Sequence, residues 1–498
     1  MKTLLLAATA AAAFAFPAAS FAQHSDHSAH PPAPAPAPPA PPPSPAPAAD
    51  PHADHEVGND GRDPQDPGPA SVRIRTPRPS VEAADPHAGH GGGEPSEGHA
   101  NHEPCFYSPG GCMRGALGPY PMQREAAGTS WQPDASEHGG IHIQSGQWSL
   151  MGHALLNGVY DWQQGPRGDE MGFLSGMVMG SARRPLGSNG TLQLRAMLSP
   201  DPIMGARGYP LLLAAGETAD GEHVLVDRQH PHDLFMELSA SVSVRLGGRA
   251  SLFVYGGLPG APAFGPPAFM HRLSAMDSPE APISHHWLDS THIAFGVVTG
   301  GLVIGDLMIE ASRFNGREPD EDRWDIETGP LDSTAARISL NPTRNLSLQA
   351  SWAHLVEPEL LEPGENETRL SASAIYTRRL GERGWWSTTL AWGRRSSDHD
   401  DLDAFTLESA VGRGSWTLFG RAERIETNEL SGDGHGHHGP VFDVSKVSAG
   451  LVRDFRLGDH VRLGVGGLYA LNFVPSGLEA SYGGDPDGAM VFLRLRVD

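Results

Sequence analysis

Histidine spacing is the first chemistry this sequence offers. His24, His27 and His30, then His52 and His55, His87 and His90, and His99 and His102 all fall into H-x-x-H steps. Neutral imidazole binds Cu(II), Ni(II) and Zn(II) well, and two or more rings on a flexible chain wrap one ion. One spacing recurring in separate clusters favours capture of a transition-metal ion (copper, zinc, nickel or cobalt). The alternative is a solvated, compositionally biased tail whose histidines do nothing specific.

A second group lies far downstream. Residues 227–233 put His230, His232 and Asp233 just ahead of an apolar alternation. Residues 285–292 do the same with His285, His286, Asp289 and His292, and Met270 and His271 precede them. Two imidazoles plus a carboxylate suit Zn(II), Ni(II) or Fe(II). The two clusters converge if both loops rise at one mouth; the competing reading makes them hydrogen-bonded anchors that brace long loops. His435, His437 and His438 form a further knot.

Cys105 and Cys112, the only two cysteines, bracket a Ser-Pro-Gly-Gly turn. In an oxidising compartment a disulfide is their default, with a thiolate–thioether Cu(I) site using Met113 as the alternative. Ser284 next to His285 and Ser290 near His292 are sequence neighbours only, and the His-x-Ser-Asn-Gly run of outer-membrane phospholipases is absent. A non-enzymatic protein is expected.

The elements that would position these groups begin with a leader. Residues 1–22 read as a secretory signal: Lys2, an apolar run, then an A-x-A-like site before Gln23, with no cysteine following for a lipid anchor. Residues 23–104 form a Pro/Ala/His-rich tail that cannot bury a core and is expected to be disordered in the periplasm. Residues 105–140 are a Cys-containing segment, periplasmic or lumenal.

From 141 to 498 the pattern has a period of two. Leu238, Ala240, Val242, Val244 and Leu246 share one face, and Ser239, Ser241, Ser243 and Arg245 the other. This alternation returns to the end of the chain, and no stretch after the leader is apolar for the ~20 residues a spanning helix needs. The sequence therefore predicts an all-β fold, an antiparallel transmembrane β-barrel of about 16 strands (range about 12–18). Short links fall at 247–248, Gly301, 342–343, 381–383, 413–414 and 458–459. Long links fall between them at 200–232, 259–290, 315–332, 355–367, 395–402, 426–442 and 474–487. Such alternation of tight turns and long loops is what an antiparallel barrel requires. Strands at 291–300 and 303–314 flank the Gly301 link. The segment 259–290 is unusually apolar for an exposed loop, which a loop folded into the lumen would explain.

Faces follow from the pleat. Leu192, Leu194, Ala196 and Leu198 meet lipid, while Arg195, Glu237, Glu310, Arg337, Glu408, Arg421, Glu423, Arg462, Arg494 and Arg496 point into the lumen. A charge on the lipid face near the midplane costs about 2–4 kcal/mol, so the interior is where they belong. Both signs occur, which fits either a wet lumen or cross-lumen ion pairs. Trp148, Trp162, Trp385, Trp386 and Trp416 sit near strand ends, where interfacial aromatic girdles form.

The formal charge of −23 argues against a nucleic-acid partner. Acidic runs crown the long loops, as solvated outer loops bridged by divalent ions to lipopolysaccharide or as a cation concentrator. The expected partners are outer-membrane lipid and lipopolysaccharide, metal cations, and the barrel-assembly machinery. The chain ends in Val497 and Asp498 rather than in the aromatic residue that this machinery commonly reads.

Residues 128–134, 227–233 and 285–292 together resemble a proteobacterial family of exported barrel proteins found among heavy-metal-resistance genes, over about residues 105–498. The His-rich tail is similar in style to that of copper-resistance outer-membrane protein B; it lacks that tail's methionines, so a copper preference does not transfer. The resemblance implies metal handling at the outer membrane. The reading from the residues is the same: transition-metal binding, transport or resistance. Its alternative is a general or substrate-specific porin with an incidental tail.

Overall fold

A computed structural model describes residues 114–137, 139–431 and 439–498. The tail histidines from His24 to His102, Cys105, Cys112 and the knot at His435, His437 and His438 lie outside the described residues. The described residues form nineteen strands. The first four are β1 (Ile141–Ser145), β2 (Trp148–Gln163), β3 (Glu170–Leu186) and β4 (Gly190–Leu198). A hairpin of β5 (Tyr209–Thr218) and β6 (Val224–Gln229) interrupts the series. Then come β7 (Phe235–Arg245), β8 (Ala250–Gly257), β9 (Val297–Ile304), β10 (Leu307–Phe314), β11 (Ser333–Thr343) and β12 (Leu346–Val356). The remainder are β13 (Asn366–Arg379), β14 (Gly384–Ser396), β15 (Asp401–Arg413), β16 (Trp416–Thr427), β17 (Phe442–Arg456), β18 (Val461–Phe473) and β19 (Asp487–Val497).

Seventeen of these share one antiparallel sheet, while β5 and β6 pair only with each other. The ring closes where β19 meets β2, from Gly488 opposite Gln163 to Val497 opposite Ala154. The short β1 pairs with the first residues of β2, from Ile141 opposite Gly152, and lengthens that wall. Setting β1 aside leaves sixteen strands in a closed transmembrane barrel. Val242, Val244, Leu252 and Val254 are exposed on the outside, while Ser241, Ser243, Ser251 and Phe253 on the same strands are buried inside. In water an apolar belt running round the whole molecule would far exceed the few hundred Å² that soluble proteins leave bare. In lipid it is the expected surface.

Connections are tight at one end, the turn end, and long at the other, the loop end. One expected turn is misplaced. The link between β9 and β10 is at Gly305 and Asp306, where Gly305 takes φ +61°. Gly301 instead lies within β9: a Cβ there would come within 2.2 Å of the Phe253 ring. That glycine makes room for a lumenal aromatic and forms no turn. The strand expected from 291 starts at Val297, because Ser290–His292 forms a 3-10 turn.

The lumen is filled from both ends. At the turn end, residues 114–137 pack Leu117, Tyr120 and Trp131 against Phe253, Val303 and Met308 of the wall. Arg124 reaches Asp134 at 2.7 Å and Asp306 at 3.0 Å, and Thr129 donates to Glu310 at 2.5 Å. From the loop end, residues 258–296 descend into the barrel and tie to the wall by ion pairs. Arg272 binds Glu408 at 2.7 Å, Lys446 binds Glu280 at 2.6 Å, and Asp277 pairs with Arg494.

Candidate metal centre

The long connection between β4 and β7 carries the β5–β6 hairpin, whose Leu211, Leu212 and Leu213 are almost wholly buried. The connection between β8 and β9 carries the short helix His285–Leu288. Two glycines let these elements meet. Gly216 has φ +123°, and a Cβ on it would lie 2.7 Å from Cε1 of His286. Gly393 on β14 lies under the helix, where a Cβ would sit 2.4 Å from the carbonyl oxygen of Trp287. Any larger residue at either position would push the helix away from its seat.

The two loops bring five histidines together in one buried cluster. Ring centroids of His230 and His286 are 5.5 Å apart, those of His285 and His292 5.2 Å, and those of His232 and His292 5.3 Å. His230 also faces His285 at 6.1 Å. Ligand atoms of His230, His286 and Glu217 all lie within 4.8 Å of one another. His230 Nε2 is 3.1 Å from Glu217 Oε1. Two imidazoles and a carboxylate make a donor set suited to Zn(II), Ni(II) or Fe(II), with coordination positions left over for water or a further ring.

The surrounding contacts orient these rings. His285 Nδ1 donates to Asp289 Oδ1 at 2.5 Å, His292 Nδ1 to the Asp289 carbonyl at 2.7 Å, and His232 Nδ1 to Asp201 Oδ2 at 2.8 Å. A partner that can only accept fixes the proton on Nδ1 and leaves Nε2 as a lone pair. Nε2 of His232, His285 and His292 is buried without a hydrogen-bond partner among the described residues. Glu217 has its second oxygen 2.5 Å from Arg323 and sits at φ +56°, a strained value for a residue with a side chain.

Burial pushes His230, His286 and His292 well below the ordinary imidazole range. Arg323 adds to this at His230, and His285 at His286 and His292. The neutral rings are the form that binds a cation. Asp233 stands apart from the trio: burial raises it to about 7, and its closest cation is Arg323 at 3.5 Å.

Sequence reasoning missed Glu217, Asp201 and Glu318, the last 3.7 Å from His286. Glu217 and Asp201 are single acids with no motif around them, and Glu318 opens the acidic run 318–322, which reads in sequence as a solvated outer loop. Of the charges placed in the lumen, Arg195 pairs with Glu237 at 2.9 Å, Arg337 with Glu310 at 2.9 Å, and Arg421 with Glu408 at 3.3 Å. Glu423 accepts from Ser284 at 2.7 Å, and Arg494 also binds Asp454 at 2.9 Å. Arg462 and Arg496 meet Asp498 at 3.0 and 2.5 Å. These charges face inward; Glu423 is spent on a serine hydroxyl and the others on ion pairs.

No protein-family model matches the chain. No curated protein matches it in sequence. Among solved structures, OmpF of Salmonella typhi in complex with daunomycin is similar at TM-score 0.46 and 11% identity, over 72% of this chain and 100% of that one. An anion-selective porin from Comamonas acidovorans is similar at TM-score 0.40 and 12% identity, over 70% of this chain and 99% of that one. OmpT, an outer membrane protein of Vibrio cholerae, is similar at 0.40 and 8%, over 71% and 99%. At such low identity no property of these proteins carries over to this chain.

Proposed function

We propose that this outer-membrane barrel handles transition-metal cations, with the loop end outside the cell and the turn end and histidine tail in the periplasm. The observation that supports this most is the meeting of Glu217, His230 and His286 inside the lumen, ringed by three more imidazoles with unengaged Nε2 atoms. Loop anchors alone would have satisfied those nitrogens, since a buried ring nitrogen without a partner costs about 1–3 kcal/mol. The centre holds a divalent ion such as Zn(II), Ni(II), Co(II) or Cu(II) between the outside and the periplasm. The tail's H-x-x-H pairs sequester or pass on the ion. The resemblance of residues 128–134, 227–233 and 285–292 to exported proteins of heavy-metal resistance points the same way.

A solute pore is the weaker reading, because residues 114–137 and 258–296 both occupy the lumen. Equilibrium dialysis of the purified mature chain tests the proposal. Combined His230→Ala and His286→Ala should remove bound Zn(II) from the barrel, and deleting 23–103 should lower the total per chain. Unchanged stoichiometry in both variants would end it.

A further inference from the structure

Beneath the histidine centre, toward the turn end, lies a cavity of about 110 Å³. Its walls are the 114–137 segment, β1 to β4 and the underside of the inserted loop. Six of the chain's 14 methionines line it: Met122, Met151, Met177, Met179, Met270 and Met276. Those residues come from four separate stretches of chain, so local sequence bias does not account for the gathering. Methionine in a core commonly fills awkward gaps. Here the methionine residues border a volume well above the ~10–15 Å³ that one water needs, so they leave a gap open.

Position matters as much as composition. Met270 follows Phe269, whose ring lies 5.5 Å from His285 and 6.2 Å from His232. Met177, Met197 and Met236 are fully buried beside Ile293, the residue after His292. The thioether layer therefore adjoins the imidazole layer. His142 and His153 add imidazoles to the same wall. The guanidinium groups on it are already neutralised: Arg183 by Glu125 at 3.1 Å, Arg195 by Glu237 at 2.9 Å and Arg496 by Asp498 at 2.5 Å.

We infer that the barrel carries a second site, a methionine-lined chamber for a soft monovalent cation of the Cu(I) or Ag(I) class, between the histidine centre and the turn end. Neutral thioethers favour such ions over hard or borderline divalent ones, whereas imidazole and carboxylate suit the latter. The two layers thus sort ions by softness along one axis. The inference extends the metal-handling reading above, but its ligands are separate.

The test uses the full mature chain in detergent with methyl-labelled methionine, titrated with Ag(I) and, in parallel, Co(II). Ag(I) should shift the methyl resonances of Met151, Met179 and Met270 and leave those of Met308 and Met490 in place. The near-isosteric triple variant Met151→Leu, Met179→Leu and Met270→Leu should lower Ag(I) affinity by at least about tenfold, the loss that even outer-shell partners of a metal cause. Its Co(II) binding should stay intact, which also reports that the barrel has folded. Absence of those shifts in the wild-type chain, or unchanged Ag(I) affinity in the triple variant, would overturn the chamber. Co(II) failing to bind while Ag(I) shifts the lining methionines would sink the histidine centre and leave the chamber standing.

Discussion

Arg272 and Glu408 meet fork to fork inside the barrel, Nε to Oε2 at 2.8 Å and Nη2 to Oε1 at 2.7 Å, with neither side chain exposed. Arg272 belongs to the inserted loop and Glu408 to β15, so this pair is the bolt between the plug and its wall. Arg272 also reaches Asp289 at 2.5 Å, and Asp289 in turn holds His285. One guanidinium therefore links the plug's seat to the histidine cluster.

Replacing Arg272 with Met should take the guanidinium from two buried carboxylates, leaving Glu408 to Arg421 and Asp289 to His285. Breaking a buried pair from one side costs about 3–5 kcal/mol. The loop should leave its seat while the sixteen strands persist. In planar bilayers the wild-type chain should stay closed, and Arg272→Met should show discrete openings. A silent variant with unchanged urea stability would mean that the pair does not secure the plug.

Gly216→Ala attacks the centre without replacing a ligand. The new methyl would collide with His286 and would sit at a φ of +123°, a region that favours glycine. Strain of about 1–3 kcal/mol should move the hairpin from the helix. Isothermal titration should show Zn(II) affinity falling at least about tenfold, a loss worth about 1.4 kcal/mol of binding. Wild-type affinity in this variant would place the metal elsewhere.

Arg323→Gln removes the group that steers Glu217. Outer-shell partners of a metal ligand are worth about 10–100-fold in affinity, and a loss in that range is expected here. The same titration with Glu217→Gln should lose more, because a ligand oxygen is replaced. If Arg323→Gln costs more than Glu217→Gln, Glu217 is not a ligand.

Val254 tests the outer face. It is 57% exposed on β8, beside the buried Phe253. Val254→Arg should destabilise the barrel in lipid vesicles by about 2–4 kcal/mol if it sits near the midplane. Val254→Ile should be neutral in the same urea titration. A neutral Arg variant would place this face in water.

The wall was legible because each strand has one wet and one oily face, as Val242 and Ser243 illustrate. The β5–β6 hairpin was not, since Leu211, Leu212 and Leu213 are buried on both sides and leave no alternation to read. Gly301 misled for a related reason: a glycine that clears space for Phe253 looks in sequence like one that turns the chain. The histidines stood out by residue type, and their loops are successive long connections at one end of the barrel. Glu217 could not stand out, because only folding brings it to His230.

Anomalous X-ray scattering from crystals of the mature chain soaked in Zn(II), recorded on both sides of the zinc edge, tests the metal centre most directly. One strong peak is expected inside the lumen, bonded to Glu217, His230 and His286 with N and O distances near 2.0–2.2 Å. Peaks confined to the acidic outer loops, with the five rings undisturbed and ion-free, would contradict it.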